Sequence, residues 1–211
     1  MPDTSHFHDD RTSGILEAAK RAFAEKGFDG ASMQDLARAA GMSAGNFYRY
    51  FPSKDAIVAA MIGRDLASVK EDFAAILSSA DPASALFRAF EVRLDNQDCT
   101  DGPLWAEIDA AARRKPDINR LVCAMEDEVC DYLSLAMAHI SGKNLTNPQA
   151  AYSGLSSFLV LMFKMASQKL HTSANPTCRD THSQVRKLVL ATIRHTIADL
   201  TADRSKQDEL K

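Results

Sequence analysis

Residues 32–51, SMQDLARAAGMSAGNFYRYF, leave the chain few choices of fold. Ser32 is followed three residues later by Asp35, the spacing at which a hydroxyl and a carboxylate satisfy the free N–H groups of a first helical turn. Met33, Leu36, Ala37 and Ala40 recur at helical spacing, so one side of that helix packs inward. Gly41 can adopt the left-handed conformation that stops the helix. Met42 then points back toward the core, and Ser43 caps a second helix. Pro52 blocks continuation, which confines the second helix to about Ala44–Tyr50. Seven residues make a rod about 10 Å long, a match to the width of a DNA major groove. Helix, tight glycine turn and short helix make the helix-turn-helix unit, whose second helix is the reader. An ordinary pair of antiparallel helices is the other reading of the same spacing.

The side chains of the second helix favour DNA. Phe47 and Phe51, four apart, face the core, while Asn46, Arg49 and Tyr50 fall elsewhere on the barrel. Gly45 inside a helix costs about 1 kcal/mol against alanine. A close approach of the backbone to a phosphate gives it a reason.

Ser32 to Asp55 resembles the DNA-binding motif of the tetracycline-repressor (TetR-type) family of bacterial transcription regulators. The residues that carry the likeness are Gly27-Phe28, Ser32, Leu36-Ala37, Ala40-Gly41, Ser43, Gly45, Phe47-Tyr48, Tyr50-Phe51 and Ser53-Lys54-Asp55. The likeness covers about residues 11 to 60. Beyond that the family shares architecture more than sequence. The resemblance implies an all-α chain, with an N-terminal three-helix helix-turn-helix domain and a larger helical ligand-binding and dimerisation domain. It implies that Ser43, Tyr48, Tyr50 and Lys54 contact phosphate and that Gln34, Ala44 and Asn46 read bases. Ser32, Gly45 and Arg49 complete the expected DNA-facing set, with Arg49 suited to phosphate or guanine. The implied partners are a double-stranded, pseudo-palindromic DNA operator, a second copy of the chain and a small-molecule effector that relieves repression.

Charge does not announce a DNA binder. The net charge is −3, and within residues 1–58 seven lysines and arginines face eight aspartates and glutamates. Screening confines electrostatics to about 10 Å at physiological salt, so local arrangement outweighs the sum. Arg38, Arg49 and Lys54 can form a positive edge, and weak non-specific DNA affinity is expected.

The rest of the chain reads as helices. Residues 1–10 are expected to be a disordered arm, 11–56 the DNA-binding domain, 57–203 the ligand-binding and dimerisation domain, and 204–211 a tail. Thr12 or Ser13 starts a first helix that ends near Lys26. Ser53 caps a long helix to about Leu77, and Asp81-Pro82 opens the next. Gln97 to Pro103 reads as a loop, followed by a short helix through Leu104, Trp105, Ile108 and Ala111. Ile118, Val122, Met125, Val129, Leu133, Ala136 and Ile140 keep spacings of three and four up to Gly142. Asn147-Pro148 opens a helix to about Leu170, and a last one spans about Thr181 to Leu200.

The centres of those last two helices, Phe158–Phe163 and Leu188–Ile193, are apolar around most of their circumference, and such a helix must be covered on all sides. A dimer interface through Leu155, Phe158, Leu159, Met162, Leu188 and Ile193 is expected, as the resemblance also implies; two central helices of a monomer are the other reading. Ligand-lining candidates are Phe87, Phe90, Trp105, Met125 and Tyr132, a mix suited to an apolar or aromatic ligand, with plain core the other reading for each; Glu91, Glu107, Glu126 and Glu128 could favour a cation or simply be solvated.

Other classes fit less well. The six histidines are scattered without a catalytic partner, and no phosphate-cradling glycine loop is present, so no enzyme is expected. The four cysteines lack metal-ligand spacing, so no metal or cofactor is expected; Cys123 and Cys130, seven apart on one helix, are too distant for a disulfide. No run of consecutive apolar residues approaches about 18, and a cytoplasmic protein without membrane contact is expected. A non-regulatory DNA-binding or protein-adaptor role on the same fold is the remaining alternative.

Overall fold

Glycine and proline punctuate the chain into helices joined by short corners. The computed structural model describes residues 4–95, 101–170 and 176–208. The described residues form nine α-helices and no strand: α1 (Thr4–Lys26), α2 (Met33–Ala39), α3 (Ala44–Tyr50), α4 (Lys54–Ser78), α5 (Pro82–Asp95), α6 (Asp101–Ala112), α7 (Pro116–Ser141), α8 (Pro148–Leu170) and α9 (Pro176–Asp208). The stops and starts follow the expected chemistry. Gly27 and Gly41 end α1 and α2 with φ of 75° and 64°, where a side chain would be strained. Ser53 Oγ accepts the Ala56 N–H at 3.1 Å, Asp81 Oδ1 that of Ser84 at 3.0 Å, and Asn147 Oδ1 that of Ala150 at 3.0 Å.

Three boundaries differ from the sequence expectation. α1 begins at Thr4, so most of the expected arm is helical; Thr12 and Ser13 lie inside the helix and do not cap it. α6 begins at Asp101, inside the stretch read as a loop. α9 runs from Pro176 to Asp208, through the expected tail. Nothing in TADRSKQD breaks a helix, and Lys143 Nζ holds Asp203 at 2.6 Å near its end. Polar residues alone do not forbid a helix in either segment.

The chain divides into two compact units: Met1–Asp65 with Cys99–Cys123, and Leu66–Asp98 with Ala124–Lys211. The expected boundary at residue 56 therefore shifts, and the reading unit gains α6 and the start of α7. Periodicity shows that α6 has an apolar face, but not which core receives it. The face packs against α1, with Leu104, Ile108 and Ala111 buried. In the same unit Phe23, Phe28, Leu36, Phe47 and Ile57 have no exposed surface.

In the second unit, α5, α8 and α9 pack together. Leu86, Leu94, Leu133, Met137, Leu159 and Ile193 form the centre of the core there. Ser134 and Ser156 are buried as a hydrogen-bonded pair at 3.1 Å.

Candidate DNA-reading site

The reading helix is fixed by a chain of caps. Ser32 Oγ accepts the Asp35 N–H at 3.1 Å, while the Asp35 carboxylate accepts the Ser32 N–H at 3.1 Å and its hydroxyl at 2.6 Å. This is the reciprocal capping box expected from the sequence. The same carboxylate receives Lys26 Nζ at 2.7 Å from the end of α1, and Arg38 at 3.4 Å. Ser43 Oγ then caps α3 by accepting the Asn46 N–H at 3.3 Å. Phe47 lies wholly inside, 6.3 Å from the Phe51 ring, so the opposite side of α3 faces out.

Hydrogen bonds from Lys26 and then Ser32 hold the Asp35 carboxyl well below the usual range. Because its folded value lies below the ordinary 3.8, its contribution to stability is complete above that pH. The contribution declines as pH falls below 3.8 and is gone once Asp35 protonates in the folded state. Asp35→Asn is therefore expected to lower the thermal midpoint at pH 7 and to flatten its fall between pH 4 and more acid conditions. Melting curves of the two proteins across that range check this.

Most of the expected DNA-facing residues share one surface. Gln34, Gly45, Asn46 and Arg49 are exposed, Ala44 and Tyr50 are half-buried, and Tyr48 is 48% exposed, unusual for a large ring without a covering neighbour. Ser32 and Ser43 lie at the same edge, but their hydroxyls already serve as caps. Lys54 is placed differently. Its Nζ donates to Phe28 O at 2.7 Å and Asp29 O at 3.3 Å, and sits 4.9 Å from the Phe28 ring centre. Its ammonium is thus turned onto the corner between α1 and α2, and Arg38 and Arg49 are left to form the expected positive edge.

A Cβ built on Gly45 meets nothing within 4 Å, so the fold itself does not require glycine there. Gly45→Ala is expected to stabilise α3 by about 0.5–1 kcal/mol. It is also expected to weaken DNA binding if the backbone approaches a phosphate at this point. Melting and duplex titration on the same variant separate the two effects.

The residues expected to line a ligand fall in both units. Trp105 belongs to the first unit; Phe87, Phe90, Met125 and Tyr132 belong to the second. Phe87, Phe90 and Tyr132 pack on the core of that unit: Phe90 lies edge-on to Phe163 at 5.5 Å, and Tyr132 stacks on Phe73 at 5.7 Å. A cavity of about 340 Å³ between α7 and α8 is lined by none of the five. Asp127, Cys130 and Asp131 border it on one side, and Gln149, Ser153 and Ser157 on the other. Burial pushes the Cys130 thiol up, away from thiolate reactivity. Three of the four glutamates considered for a cation have partners: Glu107 the Phe28 N–H, Glu126 the Lys164 ammonium at 2.5 Å, and Glu128 the Tyr132 hydroxyl at 2.7 Å. Among the described residues no cluster of His, Cys, Asp or Glu could hold a metal. Cys99 and the Cys178 side chain lie outside the described residues.

The expected dimer set also divides. Leu159 and Ile193 are buried in their own core, at 2% and 0% exposure, and cannot meet a partner. Phe158 at 51% and Leu188 at 67% are exposed, as are Leu161 and Met165 on α8, while Leu155 and Met162 are half-buried. Helical positions three and four apart point to nearly the same side, and the sequence alone could not say where the core side ended. By length and composition α8 is the one helix among the described residues apolar enough to cross a membrane, which no run of consecutive apolar residues disclosed. Its serines and glycine interrupt the run, while its leucine, valine, phenylalanine and methionine residues keep the window average high.

An all-α chain with capped helices around a tight glycine turn, and an outward-facing second helix, is a helix-turn-helix protein. Residues 15–61 match the family model described as bacterial regulatory proteins, tetR family. Over that segment, which holds the helix-turn-helix, the chain is similar to the members of that family. It is similar to the HTH-type transcriptional regulator EthR of Mycolicibacterium smegmatis, with 38% identity over 86 residues, 40% of each chain. It is also similar to the HTH-type transcriptional regulator UidR of Escherichia coli, with 25% identity over 134 residues, 64% of this chain and 68% of that one. The match thus spans well under half of EthR. Salmonella enterica GusR shares the fold, with a TM-score of 0.67 at 21% identity over 92% of this chain and 96% of that one.

Proposed function

We propose that the protein is a cytoplasmic, ligand-relieved transcriptional repressor that binds a pseudo-palindromic operator as a homodimer. The observation that carries this reading is α3: a seven-residue helix, capped by Ser43 and anchored by Phe47, with Asn46, Tyr48 and Arg49 turned outward. Asn46 and Gln34 suit the N6/N7 edge of adenine, Ala44 suits a thymine methyl, and Tyr48, Tyr50 and Arg49 suit phosphate. With few long side chains on α3, DNA shape supplies part of the specificity.

The exposed apolar side of α8 and α9 supports the dimer. A second protein surface suits it better than lipid, because Lys164 and Glu126 form an ion pair on α8 and α7, and serines recur along α8. The effector acts on the second unit, favouring a conformation in which α4 no longer holds the two reading helices at successive grooves. A coupling of about 1–3 kcal/mol relieves binding about 5–150-fold.

Selection of bound duplexes from a random pool tests the reading. A two-fold symmetric consensus is the expected result. No enrichment, or enrichment of a sequence without symmetry, would sink it.

A further inference from the structure

The corner between α1 and α2 is held by residues far outside the segment that matches the family. After a glycine stop the next N–H commonly closes back on the helix it leaves. The Phe28 N–H reaches 79 residues along the chain instead, donating to Glu107 Oε2 on α6 at 3.0 Å. Glu107 approaches closely: a Cβ on Gly27 would lie 3.0 Å from the same oxygen. The Phe28 ring is fully buried against Phe23, with Lys54 Nζ at 4.9 Å and Lys115 Nζ at 4.8 Å from its centre. Lys54 also binds the Phe28 and Asp29 carbonyls, and Lys115 pairs with Asp55 at 3.6 Å. Arg114 pairs with Asp29 at 2.6 Å, but both side chains are more than half exposed, where ion pairs contribute little.

Three parts of one compact unit thus meet at Phe28: α6 through Glu107, the corner before α7 through Lys115, and the start of α4 through Lys54 and Asp55. The corner they hold feeds directly into α2, whose capping Asp35 is tied back to Lys26. We propose that Glu107 and Lys115 are positioning residues for DNA recognition: they set the angle at which α2 and α3 leave α1. The proposal rests on the DNA-binding reading above. It places the control of that angle on α6 and the corner that follows it, where changes need touch no DNA-facing residue.

The test uses the full chain and its selected duplex. Glu107→Ala is expected to weaken the duplex about tenfold, by lowering the fraction of molecules that are binding-competent. The slope of affinity against salt is expected to stay that of the unaltered chain, since no phosphate contact is removed. Glu107→Gln keeps an acceptor for the Phe28 N–H and is expected to restore most of the affinity. Lys115→Met keeps the aliphatic stem and is expected to weaken binding several-fold, whereas Arg114→Ala changes little.

Amide exchange in the DNA-free protein gives a second readout, with faster exchange at Phe28 and the first turn of α2 expected in Glu107→Ala. Faster exchange with unchanged affinity would overturn the inference and leave the DNA-binding reading intact. Equal losses in the Ala and Gln variants would also overturn it. If the unaltered chain selects no duplex, the DNA-binding reading fails and the inference falls with it.

Discussion

Leu161→Glu combined with Leu188→Glu is expected to give a folded chain that sediments as a monomer and binds its duplex at least about 100-fold more weakly. Both side chains project from their own unit, at 57% and 67% exposure, so the substitution leaves the protomer core intact. At an interface, however, each glutamate would be a charge taken from water without a partner, at a cost of several kcal/mol. The affinity loss follows from geometry. Two linked reading helices convert the second binding event into a local one, and uncoupling them forfeits a factor of about 10²–10⁴. Leu159→Ala and Ile193→Ala are the contrast. Both residues are buried in the core, and their truncation is expected to cost about 2–5 kcal/mol of folding stability whatever the state of assembly. Sedimentation with melting curves separates the two classes. A double variant that remains dimeric would move the interface elsewhere.

Phe47→Ala is expected to abolish DNA binding by a different route. The ring has no exposed surface and is the only fully buried side chain on a seven-residue helix that cannot persist alone. Its removal costs about 3–5 kcal/mol, a large part of the 5–15 kcal/mol that holds an ordinary domain folded. The exposed patch on α8 and α9 is untouched, so the variant is expected to stay dimeric while losing its duplex and melting earlier. Two transitions in calorimetry, with only the first displaced, would show the damage confined to the reading unit. A single displaced transition would mean that the two units unfold together.

What the sequence disclosed was local. Caps at Ser32, Ser43, Ser53, Asp81 and Asn147, and stops at Gly27, Gly41 and Gly142, each depend on chemistry within a few residues, and each is found where expected. Phe47 and Phe51 as core, and Asn46 and Arg49 as surface, follow from the period of a helix. What was hidden depends on partners distant in the chain. No spacing rule leads from Phe28 to Glu107, and Lys54 could be recognised as a cation near the motif but not as one bonded to backbone carbonyls. Of the aromatic residues expected around a ligand, Phe90 lies against Phe163 and Tyr132 against Phe73, contacts that exist only in the folded chain. Leu159 differs from Phe158 by one position on one helix, yet one is interior and the other half exposed.

The Asp35 carboxylate has a consequence for how such a regulator would behave in a living cell. It already neutralises Lys26 and draws Arg38 toward itself, so two of the cations nearest the motif reach DNA partly compensated. If the chain occupies a promoter as proposed, few mobile ions would be displaced from the double helix on docking, and occupancy would respond weakly to swings in potassium. Sojourns on random genomic sequence would be brief, and a chain of this design would find its target by many short visits rather than by long one-dimensional sliding.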